Sequence, residues 1–185
     1  MNLTVFLSAR DGKNPTHLLR SKKLGEAITR CGHTLVYGGS QEGCMGAVSD
    51  AVLENKGQVI AVYPDGVLPL EPPRQNATEL YLAKNMDERK RKLIDLGEAF
   101  IILPGGFGTM EEVFQLLTEM SIGQTAIRPV IFIDKDFYLP LFNMIQQQTK
   151  EEMLSLEVLE AVHLVETTEQ AMELLGDLNL SLIHI

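Results

Sequence analysis

Short apolar runs alternate with amphipathic segments along the whole chain. LTVFL (residues 3–7) predicts a strand, and residues 15–30 predict a helix with Asn14 as its cap and Pro15 in the first turn. HTLVYGG (33–39) is a second strand, a helix follows over about residues 46–55, and QVIAVYP (58–64) is a third strand. A proline-rich loop, VLPLEPPRQN (67–76), leads to a short extended piece near Leu80. Next come a charged helix over about residues 85–96, the strand AFIIL (99–103), a helix after Gly108 and the strand PVIFI (129–133). A helix near residues 138–148, the short strand VHLVE (162–166) and a last helix, TTEQAMELL (167–175), complete the pattern.

The Val/Ile/Leu runs are continuous rather than alternating, which marks strands buried on both faces. Strand–helix alternation implies right-handed crossovers between parallel strands. The predicted fold is α/β: a doubly wound parallel sheet with helices on both faces, one domain over residues 1–185. The terminal SLIHI is an apolar tail, expected either to dock on a partner or to be disordered. Ligands of such sheets sit at the carboxyl ends of the strands, so the strand-exit loops are the places to search.

Composition narrows the classes. The 185 residues are 45% hydrophobic, ordinary for one globular domain with a sizeable core. A formal net charge of −9 argues against a nucleic-acid binder. No apolar run is long enough to span a bilayer, and the amino-terminal MNLTVFLSARDG reads as a strand rather than a signal peptide. Cys31 and Cys44 show no CxxC pairing and are expected to be reduced, half-buried thiols, which points to the cytoplasm. His17, His33, His163 and His184 fall at no metal-ligand spacing, so no metal is expected.

Three strand exits are rich in small or polar residues: SARDG, YGGSQEGCMG and PGGFGTMEE. Glycine permits positive φ and close backbone approach, and a following helix N-terminus offers unpaired N–H groups, a combination that binds phosphate. Neither a Walker loop nor GxGxxG is present. Thr109 and Glu112 have a structural alternative, because Thr-x-x-Glu is also a capping box, and spacing alone favours it. Glu111 in turn suits the dipole of a first helical turn. Against a bound phosphate, a carboxylate is repelled; one kept there faces another part of the ligand, such as a sugar.

In NMDERKRKLIDLG, a helix puts Met86, Arg89, Lys90, Leu93 and Ile94 on one face, leaving Arg91 and Lys92 as solvated charge. Inward cations need partners. For Arg89 and Lys90 these are Glu71, Glu112, a dimer mate's carboxylate or a ligand phosphate.

MDERK at 86–90 followed by PGGFGT-x-x-E at 104–112 resembles the LOG (lonely guy) family, whose members have often been labelled lysine decarboxylases. YGGSQEGCMG is similar to the family's YGGG-x-x-GLMG and VIAVYP to its VIGVIP, so the likeness runs from about residue 5 to residue 133. The resemblance implies a Rossmann-like homodimer, without cofactor, that hydrolyses the N-glycosidic bond of nucleoside 5'-monophosphates such as AMP or cytokinin nucleotides. Base and ribose 5-phosphate would be the products. It makes Arg89 and Glu112 the catalytic pair, and Glu71, Met86, Lys90, Gly105, Gly106, Phe107, Gly108 and Thr109 the substrate contacts. Departures are Asp87 in place of the family's frequent His, Ser40 and Cys44 in the second loop, and LSARDG for CGSS-x-G, where Arg10 could supply a different contact. Lysine decarboxylation would need a pyridoxal-phosphate lysine or an equivalent electron sink, for which no lysine here has an identifiable setting. The alternatives are a non-catalytic nucleotide-binding sensor or carrier, and a purely structural corner.

Overall fold

Buried on both faces, the continuous apolar runs pair as parallel strands. The computed structural model describes residues 1–67 and 73–183. In chain order the elements are β1 (Asn2–Phe6), α1 (Thr16–Arg30), β2 (Thr34–Tyr37), α2 (Gly43–Glu54), β3 (Gln58–Pro64), β4 (Glu79–Ala83), α3 (Met86–Leu96) and β5 (Ala99–Ile102). They continue with α4 (Phe107–Ser121), β6 (Val130–Ile133), α5 (Lys135–Lys150), α6 (Leu156–Glu160), β7 (Val162–Val165) and α7 (Thr168–Ile183). The strands form one sheet in the order β4-β3-β2-β1-β5-β6-β7, with every neighbouring pair parallel.

Successive side chains of a strand point to opposite faces, and the core divides accordingly. On one face Leu3, Val5, Leu35, Ile101 and Ile131 meet Leu24 and Ile28 of α1, Val48 and Val52 of α2, and Ala171 and Leu175 of α7. On the other, Phe6, Val36, Phe100, Ile102 and Phe132 meet Leu93 and Ile94 of α3, Val113, Leu116 and Met120 of α4, and Tyr138 of α5. Burying each such large side chain stabilises by about 1.5–3 kcal/mol, which fixes the helices against the sheet. Thr4 is the polar exception in β1; its hydroxyl donates to the Leu93 carbonyl at 2.9 Å, tying α3 to the sheet.

Most element boundaries agree with the pattern, and the differences have local causes. Asn14 was expected to cap α1, but Pro15 holds the cap position and no side chain caps the helix; Asn14 Oδ1 instead accepts from Thr16 N at 3.0 Å one residue before it. Helix α2 begins at Gly43, three residues before the expected start. The extended piece near Leu80 is a full strand, paired along its length with β3. Helix α5 starts at Lys135 because Asp134, at φ 94, turns the chain and caps it through Phe137 N at 3.2 Å. The short α6 was not expected. Cys31 is exposed and Cys44 buried, where two half-buried thiols were expected. Glu71 of the proline-rich loop lies outside the described residues, as do His184 and Ile185, so the expectation for the tail is addressed only in that α7 continues to Ile183.

The order reverses between β1 and β5, the topological switch point at which open parallel sheets hold ligands. Two of the three small-residue exits, after β1 and after β5, flank it.

Candidate active site

Helix α3 turns Arg89 and Lys90 inward beside Leu93 and Ile94, and both cations are buried. Asn85 caps the helix by accepting from Glu88 N at 2.9 Å, which fixes where its inward face begins. The Arg89 guanidinium is held at three points: Nη1 donates to Glu112 Oε1 at 2.7 Å, Nε to the Val62 carbonyl at 3.2 Å and Nη2 to the Gly38 carbonyl at 3.4 Å. It therefore bridges the ends of β2 and β3 to α4. Gly38 leaves room for it, since a Cβ at that position would displace Nη2 from its hydrogen bond to the Gly38 carbonyl.

Glu112 is 6% exposed. Burial pushes its carboxyl above the ordinary range and the Arg89 charge pulls it back, with burial the larger influence. Lys90 bonds to Glu111 at 2.6 Å and approaches Asp87 at 3.6 Å. Glu111 and Asp87 were not among its expected partners. Arg91 is not simply solvated, since it pairs with the buried Glu119, and Lys92 lies 4.9 Å from the centre of the Tyr81 ring.

The capping-box reading fails on geometry. Helix α4 begins at Phe107 with the extended Gly106 as its cap, and no side chain caps it. Thr109 is thus the third helical residue and Glu112 lies in the second turn, directed at Arg89 instead of its own amides. Gly105 makes room for the buried Thr109, because a Cβ there would lie 2.5 Å from Thr109 Cβ. Gly106 and Gly108 face open space. The first amides of α4 have no partner within the helix by its geometry, and they carry the positive end of its dipole.

These pieces enclose a cleft of about 520 Å³, ample for a mononucleotide-sized ligand. Ser8 and Arg10 from the β1 exit form one wall; Gly106, Phe107, Gly108 and Thr109 form the other. Arg89, Glu111 and Glu112 supply the charges, while Met45, Pro64 and Met86 supply apolar surface. Phe107 is 96% exposed at the mouth. Met45, Pro64 and Ser8 were not singled out as contacts, although each lies in a motif the sequence reading quoted: YGGSQEGCMG, VIAVYP and SARDG. Of the expected contacts, Gly105 borders a smaller neighbouring cavity, Lys90 stands behind Glu111, and Glu71 is not described. The glycines after β2 serve packing: Gly38 admits Arg89, Gly39 at φ 82 lies against Tyr63, and Gly43 backs the Ala9–Arg10 peptide.

A family model described as "Possible lysine decarboxylase" matches residues 45–175. A cytokinin riboside 5'-monophosphate phosphoribohydrolase of Rhodococcoides fascians is 35% identical over 155 residues, covering 83% of this chain and 78% of its own. The chain belongs to the LOG family. The cytokinin riboside 5'-monophosphate phosphoribohydrolase LOG7 of Arabidopsis thaliana is 32% identical over 83% of this chain and 70% of its own length. The LOG relative named LOGL5 from Oryza sativa subsp. japonica, designated a probable enzyme of that kind, is 34% identical, and this chain spans 61% of it. Among solved structures, the molybdenum cofactor carrier protein of Chlamydomonas reinhardtii superposes with a TM-score of 0.72 at 18% identity, over 96% of this chain and 97% of that one. The molybdenum cofactor binding protein of Rippkaea orientalis gives 0.71 at 20%, over 96% of each. At those identities the likeness establishes the Rossmann-like fold.

The decarboxylase description of this LOG chain does not fit the cleft. Among the described residues no lysine lines it, and Glu111 raises the pKa of Lys90, favouring the charged ammonium over the neutral amine that an aldehyde cofactor requires. Among the described residues, no helix is long and apolar enough to cross a membrane.

Proposed function

We propose that this protein hydrolyses the N-glycosidic bond of nucleoside 5'-monophosphates, AMP or cytokinin nucleotides, to free base and ribose 5-phosphate. One observation carries the reading: a buried carboxylate, Glu112, is aimed by Arg89 into a cleft whose adjoining wall is a glycine-rich helix N-terminus. The amides of Gly106, Phe107, Gly108 and Thr109 suit the 5'-phosphate. Glu112, one turn further along α4, then faces the ribose, where it stabilises developing oxocarbenium charge and activates water. Arg89 keeps that carboxylate in a productive pose. Met86 borders the ligand. Gly105 sets the position of Thr109, and Lys90 restrains Glu111. Glu71 is a further proposed contact. The printed names of the LOG relatives favour cytokinin riboside 5'-monophosphates within this substrate class.

A homodimer in the cytoplasm is part of the same proposal. Phe114, Ile122, Met153 and Leu156 are 41%, 68%, 71% and 65% exposed, and they border a groove of about 310 Å³ or lie beside it. Such a strip offers a second copy an apolar surface.

The test is release of adenine from AMP, followed by chromatography. Glu112→Gln keeps an acceptor for Arg89 but has no base, so it is expected to fold, bind AMP and lose turnover by about 100- to 10,000-fold. Arg89→Ala is expected to be inactive as well. Turnover by Glu112→Gln at the wild-type rate would remove the catalytic assignment; AMP binding by wild type without any release would leave the sensor or carrier reading.

A further inference from the structure

The cleft has a charge problem. A nucleotide phosphate brings a charge of about −1.5 to −2 into a chain whose net charge is already −9. Glu111 and Glu112 both border the cleft. Arg89 is engaged by Glu112, and Lys90 by Glu111 and Asp87. The helix end contributes only about half a positive charge. Among the described cations lining the cleft, Arg10 alone has no carboxylate within ion-pair distance.

The backbone of Arg10 is held in place while its side chain is exposed. Its N–H donates to Ser8 Oγ at 2.9 Å, and the Ser8 carbonyl accepts from Met45 N at 3.1 Å. Gly43, at φ 56, lies flat on the Ala9–Arg10 peptide; a Cβ there would sit 2.5 Å from the Ala9 carbonyl carbon. Arg10 thus lines the cleft from the β1 side of the switch point, in company with Gly106–Thr109 of the α4 N-terminus, and it also borders the smaller neighbouring cavity. A planar fork of N–H donors there matches a phosphate bidentately.

We propose that Arg10 recognises the 5'-phosphate and sets the selectivity of the cleft for nucleotides over nucleosides. The proposal rests on the reading that the cleft takes nucleoside 5'-monophosphates. Calorimetric titration with AMP and with adenosine, alongside adenine-release assays, tests it on wild type, Arg10→Ala and Arg10→Lys, with Lys56→Ala as the control for lost net charge. Arg10→Ala is expected to weaken AMP binding by about 10- to 100-fold and to shrink the AMP-to-adenosine affinity ratio by the same factor. Arg10→Lys is expected to recover part of the loss, and inorganic phosphate to compete less well against AMP in the alanine variant. An Arg10→Ala protein with a wild-type circular dichroism spectrum and wild-type AMP affinity would overturn the assignment, even with wild-type hydrolysis intact. Loss of AMP binding in that variant, with no adenine released by wild type, would instead overturn hydrolysis and uphold Arg10.

Discussion

At the scale of single residues, the proton on Glu112 gives the pair a measurable signature. Burial holds its carboxyl above the ordinary range in the folded state despite Arg89. The native protein then keeps a proton that the unfolded chain has already released, so stability falls as pH rises through the window between the unfolded and folded pKa values. Acidification through the same window restores it. Glu112→Gln removes this dependence, so its melting temperature relative to wild type should climb as pH is raised from the acid side to neutrality. Melts of both proteins at stepped pH check this; a constant difference would show that Glu112 ionises as an exposed glutamate does. The identities of Arg89 and Glu112 were legible in the sequence, as was the need for a partner to each buried cation. The pairing of Arg89 with Glu112 was among the expected ones, but that of Lys90 with Glu111 was not legible, because Glu111 and Glu112 are chain neighbours and only the rotation of α4 separates them.

At the scale of elements, the start of α4 decides what its first turn can do. Spacing suggested a capping box with Thr109 as the cap, but a helix whose cap lies three residues earlier, at Gly106, carries Thr109 inside and frees Glu112 for Arg89. The absence of a side chain at Gly105 gives the buried Thr109 its room in that arrangement. Gly105→Ala is expected to cost about 1–3 kcal/mol through overpacking, to lower the melting temperature by several degrees, and to reduce kcat/KM as the amides shift. Gly108→Ala meets no neighbour within 4 Å and favours a helix, so its melting temperature should hold or rise while KM increases as the added methyl group takes space from the ligand. Thermal melts and steady-state kinetics on the two variants separate these effects. Equal loss of stability in both would contradict the packing described for Gly105.

At the scale of the whole molecule, the exposed strip formed by Phe114, Ile122, Met153 and Leu156 bears on assembly. If a second copy covers it, Ile122→Lys buries a charge without a partner and the dimer dissociates. Light scattering behind size-exclusion chromatography is expected to find twice the chain mass for wild type and the single-chain mass for the variant. A wild-type monomer, or an unaltered dimer in the variant, would place the interface elsewhere or remove it.

The sequence by itself determined the α/β class, the order of nearly every element, and the two exits that flank the switch point. Apolar periodicity and glycine placement are local properties, written residue by residue. The short α6 and the early starts of α2, α4 and α5 escaped because they depend on how a turn is seated against its neighbours. Tertiary structure alone decided that the glycines after β2 make room for Arg89 and the first loop, that Lys90 is tied to Glu111, and that no described carboxylate pairs with Arg10. Those facts arise where chain segments far apart in sequence compete for the same few ångströms, and spacing along one segment carries no record of that competition.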